Sequence, residues 1–232
     1  MEQIIYRPYK KQDFGALSEI INITWEHEKN YSQSTAIRLS NAYLRICLAE
    51  QTFTQVAVCK GKAVGIIMGN NLHCTSKPLI PHLQAKKDML ILSMTSEGRR
   101  AAHFFEELDK IYGRLLSAQS RQYGGELSFF AIHPNYRGLG IGKELYYRFQ
   151  NYMDSVRIED FYVFTDTTCN YGFYEHQGMI RCGTEKITIP ISGKQSDFLF
   201  FIYENSKSVQ TINETSNLSQ DKKLNNRTNA NT

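Results

Sequence analysis

The sequence predicts a mixed α/β fold in a single domain, and three observations support this prediction. Apolar residues alternate with polar ones in some segments and recur at helical spacing in others, which predicts both strands and helices. The two kinds of segment are interleaved along the chain instead of being separated into halves. A chain of 232 residues is also long enough to form one sizeable core.

The N-terminal part of the chain predicts a strand, two helices and a hairpin. The strand ends at Pro8, and Asp13 then stands where the N-cap of the first helix is expected. Lys60, Gly61 and Lys62 lie between two apolar runs, which predicts a tight antiparallel hairpin. In order, these elements are a strand at 4–8, helices at 14–25 and 34–50, and strands at 55–59 and 63–68.

A segment at 71–123 separates this hairpin from the next strand. It begins as a proline-containing loop and continues as a long charged stretch whose apolar residues recur at helical spacing, which predicts one helix. These apolar residues are Phe104, Phe105, Leu108, Ile111, Tyr112 and Leu115. We expect Gly124 and Gly125 to end this stretch.

A strand, a glycine-rich turn and a helix then follow in direct succession. The strand covers 127–132, the turn contains Gly138, Gly140 and Gly142, and the helix keeps its apolar spacing up to Tyr152. The remaining predicted elements are a buried strand at 161–165, a short helix at 171–177 closed by Gly178, and two strands near 184–189 and 198–203.

The glycine turn predicts a binding site for an anion. Glycine removes side chains from the approach path, and the first turn of a helix leaves N–H groups unpaired at its positive end. The phosphate-binding loop of NTPases requires Ser or Thr after Gly-Lys, but Glu144 follows Gly142 and Lys143 here. The spacing Gly-x-Gly-x-x-Gly of dinucleotide-binding folds does not fit either, because Gly138, Gly140 and Gly142 alternate. A different phosphate-bearing ligand is therefore expected.

The turn and a second motif together resemble the GCN5-related N-acetyltransferase (GNAT) superfamily. The pattern Arg137-x-x-Gly140-x-Gly142, after a strand that ends in AIHP at 131–134, is similar to motif A of that family, whose turn binds the pyrophosphate of coenzyme A. The segment NYGFYEHQGM at 170–179 looks like the family's second signature, a helix that carries Phe-Tyr-Glu and ends in Gly. The order of elements matches over 3–204, and the specific part of the resemblance is 126–183.

The resemblance implies a fold and a coenzyme site. In this family a mixed sheet has helices on both faces and splays apart between its fourth and fifth strands, and here the helical insertion at 71–123 precedes the fourth. Acetyl-CoA is the implied co-substrate, with its pantetheine arm against backbone groups near Ala131 and Ile132. Asn170 is the implied contact for this arm, although Thr167 stands at the spacing more usual in the family. The residues implied to hold the pyrophosphate are Arg137, Gly138, Leu139, Gly140, Ile141 and Gly142.

The resemblance also implies a reaction, which is the transfer of an acetyl group to a primary amine by direct attack in a ternary complex. Tyr174 aligns with the tyrosine beside the coenzyme sulfur and is expected to protonate the departing thiolate. Glu126 is the candidate general base, and a chain of water molecules is the alternative. We expect the insertion at 71–123 to cover the acceptor side. A small acceptor is favoured over a peptide or protein, and a sensor that binds acyl-CoA without turnover remains open.

Composition adds several expectations. The net charge of +4 is too small to predict nucleic-acid binding. The five cysteines are scattered and odd in number, so we expect neither a disulfide framework nor a metal site. Because no apolar run could cross a membrane and no signal peptide is recognised, we expect a cytoplasmic protein. One domain at 1–204 and a disordered polar tail at 205–232 are predicted, and a homodimer, frequent in the family, remains open.

Overall fold

Seven strands form one mixed sheet in the computed structural model of the chain, which describes residues 3–75, 79–191 and 194–205. They are β1 Ile4–Arg7, β2 Phe53–Cys59, β3 Lys62–Asn71, β4 Gly125–Ile132, β5 Phe161–Asp166, β6 Ile180–Ile191 and β7 Lys194–Asn205. They lie across the sheet in the order β1-β2-β3-β4-β5-β7-β6, and β4 and β5 are parallel neighbours whereas the other neighbouring pairs are antiparallel. The predicted tail at 205–232 lies outside the described residues apart from Asn205.

Helices cover both faces of this sheet, as the sequence predicts. They are α1 Phe14–Thr24, α2 His27–Asn30, α3 Gln33–Glu50, α4 Leu79–Ser93, α5 Ser96–Ser117, α6 Ile141–Ser155 and α7 Gly172–His176. On one face, α6 packs Tyr146 and Phe149 against the sheet residues Phe161 and Phe201. On the opposite face, α1 and α3 cover β2 to β4, and α5 covers β5 and β7. The predicted fold class is confirmed.

The central strands are buried from both sides. In β3, Ile67 packs in the core under α6, whereas Ile66 packs in the core under α1, and both side chains are fully buried. Burial of one such side chain stabilises the fold by about 1.5–3 kcal/mol. Double-sided burial explains why this strand reads as an unbroken apolar run instead of an alternating one. It also gives the neighbouring strand β4 a rigid support.

Asp13 occupies the predicted N-cap position of α1, but its side chain does not cap that helix. Its two carboxylate oxygens each accept a hydrogen bond of 2.7 Å from the Arg7 guanidinium, and one also accepts a bond of 2.8 Å from the Lys10 N–H. Burial raises the pKa of Asp13, but these bonds outweigh burial and lower it overall. The predicted N-cap position is therefore confirmed, but the carboxylate bonds to Arg7 and Lys10 instead of to the first N–H groups of α1, because bonds to a guanidinium are the stronger ones.

The insertion contains two helices where the sequence predicts a loop and one helix. The pattern does not indicate α4 because Ile80, Leu83 and Leu90 are exposed, so its apolar residues do not mark one buried face. Thr95 separates the two helices and caps α5, since its hydroxyl accepts a 2.9 Å hydrogen bond from the third N–H of that helix. The long helix ends at Ser117, seven residues before the first glycine of the pair expected to end it.

The last two strands are longer than predicted, and the short helix α2 is an additional element. β6 and β7 pair from Ile180 opposite Glu204 to Ile191 opposite Lys194. In the distal part, Asp197 accepts a 2.7 Å hydrogen bond from Thr188 and forms a 2.7 Å ion pair with Lys186. Polar cross-strand pairs hold this part of the hairpin, so an apolar pattern could not reveal it.

β4 and β5 separate soon after they meet. Their parallel register contains two pairs in the described residues, Gly125 with Phe161 and Glu126 with Tyr162. On the other side of β4, Met68 of β3 pairs with Phe129 and Gly69 pairs with Leu127, so Ser128 is an extra, bulged residue. A bulge bends its strand and increases the local twist. We call the resulting gap between β4 residues 127–132 and β5 residues 163–166 the cleft, and it confirms the predicted splay.

Candidate active site

The backbone of β4 presents polar groups to the cleft. The His133 N–H donates a 2.9 Å hydrogen bond to the Val64 carbonyl of β3. Because successive residues of a strand direct their N–H and C=O groups to opposite sides, those of Ala131 also point to β3, whereas those of Phe130 and Ile132 point into the cleft. Of the two strand residues predicted to contact the pantetheine arm, Ile132 therefore offers backbone groups and Ala131 offers a buried side chain.

The glycine turn has the backbone geometry of an anion site. Gly138 and Gly140 have φ angles of +77° and +78°, a region that side chains other than that of glycine rarely adopt. α6 begins directly after Gly140, so its first N–H groups lack partners within the helix and point out at the turn. Leu139 is 64% exposed, whereas Ile141 is buried. The turn therefore leaves its backbone open and anchors the helix through Ile141.

Gly142 does not have a positive φ angle, and its lack of a side chain allows close packing instead. A Cβ atom at this position would lie 3.2 Å from Cδ1 of Ile132 and 3.6 Å from ring atoms of both Phe130 and Phe173. The first turn of α6 therefore lies directly against β4 and α7. This packing places the open N–H groups of the turn beside the cleft-facing backbone of Ile132.

Arg137 is exposed, and its guanidinium is held at the mouth of the cleft. Its Nε donates a hydrogen bond of 3.3 Å to the Ile132 carbonyl, and its backbone N–H donates one of 3.2 Å to Pro134. The N–H of Arg137 is thus already used within the loop, and its side chain covers one of the two polar groups that Ile132 offers. What remains free to meet a phosphate is the positive charge of the guanidinium.

Tyr174 lies on the α6 side of the sheet, within the core that α6 covers. The side chain is 8% exposed and packs against Phe173 and Tyr203, with ring centroids 5.6 and 6.0 Å away. Burial raises the pKa of Tyr174 well above its usual value, and Cys169 and Tyr146 raise it further. The phenol keeps its proton at neutral pH and can act as a donor but not as a base.

Glu126 approaches the opposite face of the sheet. It pairs in register with Asn70 of β3 and Tyr162 of β5, at the point where the cleft opens. Burial is the main cause that raises the pKa of Cys47, Tyr112 and Tyr162, and the nearby Glu126 carboxylate raises all three further. Glu126 is therefore close to α3 and α5, and the cleft separates it from Tyr174.

The loop after β5 contains Asn170 and Thr167. The Thr167 N–H donates a 3.0 Å hydrogen bond to the Leu199 carbonyl, and its hydroxyl accepts one of 3.4 Å from the Leu199 N–H. Thr167 thus fastens the end of β5 to β7. The Asn170 side chain is exposed just before α7, where its backbone carbonyl accepts a 3.1 Å hydrogen bond from the Phe173 N–H. Both side chains are exposed, so a ligand could reach either of them.

Cys169 links the two faces at the cleft, and the sequence gives no sign of this. Burial raises the pKa of Tyr43, Tyr112 and Tyr174, and each is raised further by the nearby Cys169 thiol. Cys169 itself is half-buried, with its sulfur 3.7 Å from Oδ2 of Asp166. Cys169 is therefore near phenols of α3, α5 and α7. Tyr112 belongs to the apolar stripe of its helix in the sequence, so its spacing does not set it apart.

Neither a metal site nor a membrane helix is evident in the parts of the chain that the structure describes. Over residues 3–75, 79–191 and 194–205, no three His, Cys, Asp or Glu side chains are grouped so that they could hold a metal ion. The helices of these ranges are too short or too polar to cross a bilayer. The five cysteines are free thiols.

Three solved structures have folds similar to that of this chain. SsHAT is 16% identical with a TM-score of 0.57, covering 85% of this chain and 97% of its own. A protein of Pyrococcus horikoshii OT3 is 16% identical with a TM-score of 0.54, covering 86% and 97%. One from Streptococcus mutans UA159 is 16% identical with a TM-score of 0.52, covering 87% and 99%. At such identities the likeness establishes the fold alone. Comparison with curated protein sequences gave no match.

The family is established by a sequence model that matches most of the domain. The model describes the acetyltransferase (GNAT) family and matches residues 17–179, which is more than half of the chain. The matched range contains the glycine turn, Glu126 and Tyr174. It agrees with the splayed sheet and with the open helix start at Gly140. The chain therefore belongs to the acetyltransferase (GNAT) family, whose members transfer an acyl group from acyl-CoA to an acceptor.

Proposed function

We propose that this protein transfers the acetyl group of acetyl-CoA to the primary amine of a small acceptor by direct attack in a ternary complex. The observation that carries the proposal is that the buried Tyr174 packs on Phe173, whose ring lies against Gly142 at the open glycine turn. In this proposal the turn binds the coenzyme, and the phenol protonates the departing thiolate.

The proposed coenzyme position follows from the backbone of α6 and β4. The pyrophosphate lies over the N–H groups at Gly138 to Gly142, where hydrogen bonds and the helix dipole both favour an anion. The pantetheine arm then runs along Phe130 and Ile132, whose backbone groups face the cleft as β-strand partners would. The exposed side chain of Asn170 can contact this arm from the opposite loop.

The proposed reaction uses Tyr174 as the acid. The amine nitrogen attacks the thioester carbon, which forms a C–N bond and a tetrahedral oxyanion. A cleft-facing N–H of β4 can stabilise this oxyanion. When the oxyanion collapses, the C–S bond breaks and the Tyr174 phenol gives its proton to the coenzyme thiolate. The nitrogen loses its extra proton on the acceptor side, and solvent finally restores the proton of Tyr174.

The proposal keeps two candidates for the base that takes the proton from the amine. Glu126 lies near Tyr112, on the face of the sheet opposite Tyr174, and in the proposal the amine enters from this side. In the proposed reaction the amine loses a proton and the coenzyme thiolate gains one, so a base on one face and an acid on the other fit these two steps. A water chain would use the same route without requiring the carboxylate.

Calorimetry and a thiol-release assay test the proposal together. Titration of acetyl-CoA into the purified protein should give 1:1 binding, and thiol should be released in the presence of some member of a panel of amines, polyamines, aminoglycosides and peptides. Absence of acetyl-CoA binding would contradict the coenzyme assignment. Binding without thiol release for every amine would instead indicate the sensor that the sequence leaves open.

A further inference from the structure

Aromatic side chains line the cleft on the face opposite α6. Tyr43 of α3 stacks on Phe105 of α5 with ring centroids 5.6 Å apart, and it meets Phe129 of β4 edge-on at 5.7 Å. Tyr112 of α5 stacks on Phe164 of β5 at 4.4 Å. We call these five residues the aromatic wall. Four of them are half-buried, whereas Phe129 is buried behind them.

The wall has two halves, Tyr43 with Phe105 and Phe129, and Tyr112 with Phe164, and α5 contributes a residue to each half. The Tyr43 and Tyr112 phenols are close enough that Tyr112 contributes to the raised pKa of Tyr43, after burial and Cys47. Both phenols also neighbour Cys169, the residue that in turn neighbours Tyr174. A molecule held against the wall would thus have the proposed acid on its far side. Two wall residues come from α5, part of the insertion expected to cover the acceptor.

The ionisable groups beside the wall are acidic. After burial, the groups that most raise the pKa of Tyr112 are Asp166, Cys169, Asp109 and Glu126. Of the four Lys and Arg side chains of α5, Arg99, Lys110 and Arg114 are bonded to other groups, and Arg100 lies near Tyr31 and Glu97. The bonds of the first three are Arg114 to Glu185 at 2.5 Å, Lys110 to Glu107 at 2.6 Å, and Arg99 to the Ser93 carbonyl at 2.9 Å. The wall is therefore suited to a positive charge and offers poor surroundings for a carboxylate.

We propose that the acceptor is a monocationic amine attached to a flat apolar body, without a carboxylate beside the amine. This inference rests on the proposed function. The body would stack on Tyr43 and Tyr112, and the ammonium would lie over ring faces and near Glu126 before it loses a proton and attacks. An α-amino acid with the same body would place its carboxylate near Glu126 and Asp166, where like charges repel.

A matched pair of acceptors tests this directly. Phenethylamine and phenylalanine share one body and differ by the carboxylate, and spermidine has several charges but no flat body. We expect kcat/KM to be at least about 100-fold higher for phenethylamine than for phenylalanine, and at least about 10-fold higher than for spermidine. A preference for phenylalanine or for spermidine would overturn the inference.

Variants of the wall add a second readout. Tyr112→Leu should lower kcat/KM for phenethylamine at least about 10-fold with an unchanged KM for acetyl-CoA, whereas Tyr147→Leu, on the exposed surface of α6, should change neither. Tyr112→Phe keeps the ring and should retain most of the activity. A folding defect of the leucine variant would be recognised because it would also change the KM for acetyl-CoA. Equal rates for the leucine variant and wild type would contradict a role for the wall.

Binding measurements separate this inference from the proposed function. Phenethylamine should bind the protein saturated with coenzyme A, and phenylalanine should bind at least about 100-fold more weakly. If acetyl-CoA binds and a different class of amine is acetylated, the inference about the wall fails and the proposed function stands. If acetyl-CoA does not bind, the proposed function itself fails.

Discussion

Substitution of Gly140 by alanine separates the coenzyme role of the turn from its structural role. Gly140 has a φ of +78°, and an added Cβ would meet no atom within 4 Å. The change therefore creates no clash, and its cost to the fold is the strain of a left-handed alanine, about 1–2 kcal/mol, less about 0.4–1 kcal/mol regained from the unfolded chain. We expect a loss of about 1 kcal/mol in the free energy of unfolding.

Coenzyme binding should suffer more than stability. The added methyl group would occupy the space over the first N–H groups of α6, where the pyrophosphate is proposed to lie. Loss of one or two hydrogen bonds to a charged group costs about 3 kcal/mol, which corresponds to a roughly 100-fold higher Kd. Calorimetric titration with acetyl-CoA measures this Kd, and urea unfolding measures the stability.

Gly61 provides the matched control. It has a φ of +79° in the β2–β3 hairpin, and an added Cβ there would also meet nothing within 4 Å. Gly61→Ala should lose the same stability as Gly140→Ala and keep the Kd of the wild type. If the two variants bound acetyl-CoA with equal affinity, the pyrophosphate would not lie at the turn and the coenzyme assignment would be refuted.

Three further predictions concern single residues, and a fourth compares two tyrosines. Tyr174→Phe should lower kcat about 100-fold or more in the thiol-release assay and leave the Kd for acetyl-CoA unchanged; an unaltered kcat would remove Tyr174 from the mechanism. Glu126→Gln should lower kcat/KM for the amine about 100-fold at pH 7, with a smaller deficit at pH 10 because the amine is then already neutral; a rate equal to wild type at pH 7 would assign the proton to water. Burial lowers the pKa of His27 to about 4, so below pH 6.5 the unfolded chain binds a proton that the fold excludes. The free energy of unfolding should then fall by up to about 3 kcal/mol between pH 6.5 and pH 4, and subtracting the urea-unfolding profile of His27→Gln isolates this loss; parallel profiles would contradict it. Tyr146→Phe should keep or raise stability by about 0.5–1 kcal/mol, because its buried hydroxyl has no partner among the described residues. Tyr203→Phe should lose about 1 kcal/mol in the same unfolding assay, since its hydroxyl bonds to Glu175 and Arg181; the opposite order would contradict this reasoning.

The parts of the site that could be predicted are those encoded in one short stretch of sequence. The turn from Arg137 to Gly142 is a local feature, because its φ angles and the helix start depend on neighbouring residues. Tyr174 is likewise marked by the motif around it. The splay between β4 and β5 follows from the family resemblance, and the bulge at Ser128 that accompanies it has no sequence signal.

The aromatic wall could not be predicted, because its residues come from four elements. Tyr112 and Phe164 are far apart in the sequence and meet through the packing of α5 on the sheet, and Tyr43 meets Phe105 through the packing of α3 on α5. In a periodicity analysis each of these rings counts as an ordinary apolar residue. The division of the insertion into α4 and α5 could not be predicted either. Leu83 and Leu90 of α4 are apolar but exposed, so apolar spacing does not mark the buried face of this helix.

Transfer of the acetyl group itself is the most direct test of the account. Acetyl-CoA with a deuterated acetyl group is incubated with the protein and phenethylamine, and mass spectrometry follows the N-acetyl product while thiol release is recorded in the same sample. We predict that labelled N-acetyl amine and free coenzyme A form at equal rates. Thiol release without labelled amide would show hydrolysis instead of transfer, and it would contradict the proposed attack by the amine in a ternary complex.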